Sequence, residues 1–221
     1  MRQIKGVFLD IGWTMNAPAS GQWFFQPIVK ALVGEVQVVP EGCMAFLNEN
    51  HLVQTEQEEF EQFKVFYRMM FEQLGMGASD EIIEKIAHDK VYNDQNYVFF
   101  DDVKPVLLQL KQSHRLGIIS DTWPSARRVL KNAGLYELFD AVTLSCELGV
   151  YKPHRRMYEH ALASLGLPAE QTIFVDDCPE CLDGAEALGI RPVLITRQAP
   201  PEGHERFVRV NNFNELLQVL P

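Results

Sequence analysis

The chain has 221 residues, 47% of them hydrophobic and 23% charged, and a formal net charge of −10. This length suits one large domain or one domain carrying a smaller insertion, and the composition is that of a globular protein. The acidic balance and the lack of any basic run disfavour nucleic acid or an anionic membrane as partner, because phosphate backbones are held largely by clustered Lys and Arg.

A small phosphorylated ligand stays open, since one local metal or lysine outweighs the global field. No apolar run reaches the roughly 18 residues that span a bilayer, and Met1 to Lys5 show no leader pattern. Cys43, Cys146, Cys178 and Cys181 include a single close pair, which fits reduced thiols and a cytoplasmic protein.

Ile4 to Thr14 holds a short apolar run, Val7-Phe8-Leu9, that reads as a strand buried on both faces. It ends in Asp10, and Gly12 lets the chain turn as it leaves the sheet. Asn16 to Gly21 is a loop by composition. From Trp23 to Asn96 the pattern is helical and no strand is expected. One amphipathic helix spans Trp23 to Leu32, and a second carries Phe60, Phe63, Tyr67, Met70 and Phe71. A third, around Glu81 to Asp89, is capped by Ser79 or Asp80.

Alternation resumes afterwards. Helices are expected at Pro105–Gln112, Ser125–Ala133, Arg156–Leu165, Leu182–Leu188 and Phe213–Leu220. Buried strands are expected at Leu116–Ile119, Ala141–Leu144, Thr172–Val175, Pro192–Ile195 and Phe207–Val210. Strands alternating with helices imply an α/β fold, a Rossmann-like parallel sheet covered on both faces. The domain reading is an α/β core of residues 1–15 and 97–221, with a small α-helical module of residues 16–96 inserted between.

Polar residues stand where the apolar strands end. Asp10, Ser120-Asp121 and Asp176-Asp177 occupy such ends, and Lys152 lies in the loop after the third core strand. In a parallel sheet these fall along one rim, where ligands bind. Taken singly they also read as turn, cap and surface-loop positions. Together they suit phosphoryl transfer. A carboxylate approaches a phosphate monoester only when charge is neutralised, which Mg²⁺ on one or two carboxylates and a lysine would do. Asp10 could then attack phosphorus and form an aspartyl-phosphate that water hydrolyses.

These residues resemble the haloacid dehalogenase superfamily of hydrolases over essentially the whole chain. Val7-Phe8-Leu9-Asp10-Ile11-Gly12-Trp13-Thr14 is similar to its first motif, a strand then Asp-x-Asp-x-Thr, except at Gly12. Leu116 to Ser120, Lys152-Pro153 and Ile173 to Asp177 are similar to the other three. The resemblance implies that Asp10 is the nucleophile and that Ser120, Asp121 and Lys152 bind the phosphoryl group, with Lys152 also orienting Asp10. It implies Mg²⁺ on Asp10, Asp177 and the Gly12 carbonyl, with Asp176 a ligand or a neighbour. It implies that the helical module of residues 16–96 is a cap domain over the active site, and that the substrate is a small phosphorylated metabolite such as a sugar phosphate, selected by that cap.

Gly12 is the departure. Most phosphatases of the family carry there a second Asp that protonates the leaving group, and such help is worth about 10²–10⁴-fold. Glycine should slow ester hydrolysis, and Gly12→Asp should raise turnover of alkyl phosphates. Two other readings compete: a metal-independent 2-haloacid dehalogenase, which also lacks that Asp, and a catalytically weakened phosphate- or protein-binding relative. Cys178-Pro179-Glu180-Cys181 is only half of a four-cysteine zinc site.

Overall fold

The computed structural model describes residues 3–197 and 206–220. The chain opens with β1 (Gly6–Leu9) and β2 (Asn16–Pro18). Four helices come next, α1 (Pro27–Val33), α2 (Glu41–Glu49), α3 (Glu56–Gln73) and α4 (Asp80–Tyr92), and then β3 (Tyr97–Phe99). The remainder alternates: α5 (Val103–Leu110), β4 (Arg115–Ser120), α6 (Ser125–Asn132), β5 (Ala141–Leu144), the one-turn α7 (Ser145–Leu148) and α8 (Arg155–Leu165). It finishes with β6 (Thr172–Asp176), α9 (Pro179–Glu186), β7 (Arg191–Ile195), β8 (Val208–Val210) and α10 (Phe213–Val219).

Six strands form one parallel sheet in the order β5-β4-β1-β6-β7-β8. The chain builds outward from β1 through β4 to β5, then returns to place β6, β7 and β8 on the other side. β1 therefore stands where the two directions part, the position at which open α/β sheets bind ligands.

Side-chain alternation explains why these strands are apolar throughout. Val7, Leu9, Ile118, Ile173, Val175, Val193 and Ile195 point into one core, with α5 and α10 packed on it. Phe8, Ile119, Phe174 and Leu194 point into the other, beneath α8 and α9. Val7, Phe8 and Leu9 are fully buried, and each such side chain contributes about 1.5–3 kcal/mol.

The inserted helices have a third core of their own, including Phe63, Phe66, Met70 and Ile86. α3 starts in a capping box, where the Thr55 hydroxyl accepts from the Glu58 N–H and Glu58 reaches back to the Thr55 N–H. The α4 cap is Ser79 rather than Asp80.

Three local expectations fail. Asn16–Pro18 is not a free loop: Asn16, Ala17 and Pro18 pair antiparallel with Phe99, Val98 and Tyr97. Each strand has only three residues and its partner lies across the whole insertion, so no local pattern announces it. Pro18 is tolerated because a two-stranded ribbon is all edge. The first inserted helix begins at Pro27, a favoured first-turn position, leaving Trp23 and Phe24 outside it with Phe24 at φ 69°. α2 went unseen because only Cys43 and Leu47 on it are buried, too few to set a helical period. No helix among the described residues is long and apolar enough to cross a membrane.

Candidate active site

Asp10 comes directly after β1, its N–H donating to Val175 O across the sheet at 3.0 Å. Ser120 closes β4 and Asp176 closes β6, so the two flanking strands deliver their last residues beside it. Lys152 arrives from the loop after α7 and is held there by Asp121, whose Oδ1 accepts the Lys152 N–H at 2.9 Å. All of these residues line one cavity of about 350 Å³, together with Gly12 and Asp177.

The Lys152 ammonium sits at 2.7 Å from Asp10 Oδ1 and at 2.7 Å from Asp176 Oδ2. All three side chains are 9% exposed or less. Burial opposes the lysine's charge, but Asp10, Asp176 and Asp121 outweigh it and hold Lys152 well above the ordinary lysine range. Asp176 uses its other oxygen, Oδ1, to accept the Cys178 N–H at 2.8 Å. Both of its oxygens are thus engaged.

Asp177 differs. It is half-buried and no other described residue donates a hydrogen bond to its carboxylate. Burial, and next the Asp10 charge, push it up to about 7. Burial likewise pushes Asp121 up to about 6 against the pull of Lys152. Asp10, Asp176 and Asp177 each bring a carboxylate oxygen to within 4.8 Å of the other two. Three carboxylates share one lysine, and the uncompensated charge falls on the side of Asp177. An all-oxygen donor set with surplus negative charge fits a hard divalent cation such as Mg²⁺. The thiols do not join it: Cys178 Sγ caps α9 by accepting the Cys181 N–H.

Trp23 occupies the space in front of Gly12. A Cβ on Gly12 would lie 3.1 Å from the indole and 3.9 Å from Asp10 Oδ2. Trp13, at φ 52°, meets Trp23 edge-on with ring centroids 5.9 Å apart. Trp13, Trp23 and Phe24 line the cavity. Tyr67 instead lies in the insertion's core, donating to Gln26 Oε1 at 2.8 Å, and Arg68 pairs with Asp80 at the surface.

Sequence reasoning missed Lys90, Tyr97 and Trp123, which also line the cavity. It missed as well the bonds that seat the inserted helices over the sheet edge. Glu59, fully buried on α3, accepts from Ser125 N at 2.8 Å and from Ser125 Oγ at 2.7 Å. Trp123 Nε1 donates to Gln62 Oε1 at 2.7 Å. A glutamate on the apolar face of a helix, where α3 places Glu59 between Thr55 and Phe63, was the one signal the sequence carried.

A profile described as haloacid dehalogenase-like hydrolase matches residues 31–195, three quarters of the chain. The chain belongs to the haloacid dehalogenase-like hydrolase family. It is 30% identical over 128 residues to a phosphatase of Mycobacterium tuberculosis, covering 57% of this chain and 56% of that one. Like this one, several curated relatives are matched by the chain over only about half their length. A GMP/IMP nucleotidase of Escherichia coli is 25% identical, covering 100% of this chain and 96% of the relative. The fold is shared with a 2-haloacid dehalogenase from Pseudomonas syringae, at a TM-score of 0.69 and 19% identity, covering 99% and 98% of the two chains.

Proposed function

We propose that the chain is a Mg²⁺-dependent phosphatase acting on a small phosphorylated metabolite through an aspartyl-phosphate on Asp10. The observation that carries this reading is Asp177, a half-buried carboxylate with no ion pair among the described residues, beside Asp10 and Asp176. Without a metal or proton that arrangement is repulsive. With a divalent cation it is a binding site.

Each step has its residue. Lys152 bonds Asp10 and keeps it aimed, and with Ser120 receives the phosphoryl oxygens. A carboxylate oxygen of Asp10 forms a bond to phosphorus as the ester P–O bond breaks, and the leaving oxygen takes a proton from water, because Gly12 supplies none. Water then attacks phosphorus, releasing inorganic phosphate and restoring Asp10. Bound Mg²⁺, held by Asp10, Asp177 and the Gly12 carbonyl, would neutralise the phosphoryl charge. Asp176, with both oxygens spent, supports from behind. Asp121 serves by positioning the Lys152 loop; its carboxylate would repel phosphoryl oxygens if it faced them ionised. The helices of residues 16–96 act as the cap that selects the substrate.

Gly12 is the observation that favours a second reading, a metal-independent 2-haloacid dehalogenase, since a departing halide needs no proton. Asp177 weighs against it, because a third acidic group beside Asp10 and Asp176 makes the site less hospitable to a substrate that is itself a carboxylate. The test is a screen of phosphorylated metabolites with Mg²⁺, with Asp10→Asn as control and chloride release from chloroacetate without metal alongside. Mg²⁺-dependent phosphate release that Asp10→Asn abolishes is the expected result. Activity retained in Asp10→Asn overturns the nucleophile, and metal-free chloride release moves the chain to the second reading.

A further inference from the structure

Lys90 is a buried cation with spare donors. It lies at the end of α4, is 6% exposed and lines the same cavity as Asp10. Its ammonium makes one hydrogen bond, to Tyr97 Oη at 2.8 Å, and no ion pair within 4.0 Å among the described residues. Its other neighbours are ring faces, with centroids of Phe63 at 4.8 Å, Tyr97 at 5.4 Å and Trp123 at 5.9 Å. An ammonium has three donors, so two are unspent.

One candidate for a structural counter-charge is Glu59, also buried. Its two oxygens are both taken by Ser125. Burial opposes the Lys90 charge, yet Tyr97, Glu59 and Asp89 hold it above the ordinary lysine range. A buried ammonium that these carboxylates influence without hydrogen-bonding is costly unless a ligand takes up its free donors. Trp13, Trp23, Phe24 and Trp123 line the same cavity.

We propose that Lys90 and the surrounding aromatic rings form a leaving-group subsite that selects phosphomonoesters whose leaving group joins an apolar body to a carboxylate. One lysine with two free N–H groups matches one carboxylate; a second phosphate would bring more charge than the subsite can offset. The proposal rests on the phosphatase reading for what lies at Asp10, but the subsite itself is readable without turnover. All three tryptophans of the chain, Trp13, Trp23 and Trp123, line this cavity, so intrinsic fluorescence reports on it directly.

The experiment has two arms. In the first, wild type with Mg²⁺ is given phenyl phosphate and 4-carboxyphenyl phosphate. The carboxylated ester should be preferred about tenfold or more in kcat/KM, the worth of a charged hydrogen bond. Lys90→Met should bring that ratio close to one and Lys90→Arg should keep it. In the second, benzoate and neutral benzamide are titrated against wild-type tryptophan fluorescence. Saturable quenching by benzoate at concentrations where benzamide is silent is expected. A wild-type ratio near one, a ratio that survives in Lys90→Met, or equal responses to benzoate and benzamide each overturn the subsite. No turnover of either ester, with benzoate still selectively bound, overturns the phosphatase reading and leaves the subsite standing.

Discussion

The Trp23 indole stands 3.1 Å from the point that a Cβ on Gly12 would occupy. A side chain at position 12 and this indole therefore compete for one space beside Asp10. Where the resemblance leads one to expect a second Asp, this chain has a glycine facing an aromatic wall.

That relationship revises what Gly12→Asp should do. Alone it should fail to raise turnover, because the new carboxylate meets Trp23. Paired with Trp23→Ala it should raise kcat on an alkyl phosphate about 10²-fold over Trp23→Ala alone. p-Nitrophenyl phosphate should gain little, since its leaving group needs no proton. Steady-state kinetics of the four proteins on both esters checks this. A gain in Gly12→Asp alone would show that Trp23 yields freely.

Lys152→Met should destabilise the fold by about 3–5 kcal/mol at neutral pH, because Asp10 and Asp176 both lose the buried cation that bridges them. The deficit should shrink as pH falls, because Asp176, which burial already pushes up, needs no cation once protonated. Thermal unfolding of wild type and variant between pH 5 and 8 reads both effects. A pH-independent deficit would point to lost packing instead.

Metal-free protein should lose stability as pH rises. Asp177 is held up to about 7 and Asp121 up to about 6 in the fold, above the ordinary carboxylate value of 3.8. Between pH 4 and 7 the native state therefore binds more protons than the unfolded chain, and stability falls with rising pH by an amount on the order of a few kcal/mol. Mg²⁺ needs the ionised carboxylates, so the rise in melting temperature it produces should grow over the same range. Asp177→Asn should flatten the metal-free profile and abolish the Mg²⁺ shift. Differential scanning calorimetry with and without Mg²⁺ measures each.

Gly117→Ala should cost about 1–3 kcal/mol without touching the site. A Cβ there would lie 2.6 Å from the Phe8 ring, which crosses Gly117 from the neighbouring strand. Phe8→Leu in the same chain should recover part of the loss, which denaturant melts of the two single variants and the double variant would show.

Much of the site was legible because it is written at strand ends. An apolar run has few physical alternatives to a buried strand, and a parallel sheet places all its carboxyl ends on one rim. Asp10, Ser120, Asp176 and the Lys152 loop thus converge with no tertiary information beyond strand direction. The ribbon of β2 and β3, the Trp23 position and Lys90 had no such signal. Each depends on a partner far along the chain: Pro18 on Tyr97, Trp23 on Gly12 and Trp13, Lys90 on Tyr97 and Trp123.

The sequence by itself determined the alternating α/β core, the acidic and basic residues on its rim, and the glycine that follows Asp10 two residues on, because strand periodicity and local chemistry are short-range properties. Only the tertiary structure decided which carboxylate is left unpaired, what fills the space before Gly12, and that α4 brings a cation into the cavity. Those depend on which surfaces the helical insertion lays over the sheet edge. That docking is set by pairs such as Glu59 with Ser125 and Gln62 with Trp123, whose partners lie 66 and 61 residues apart.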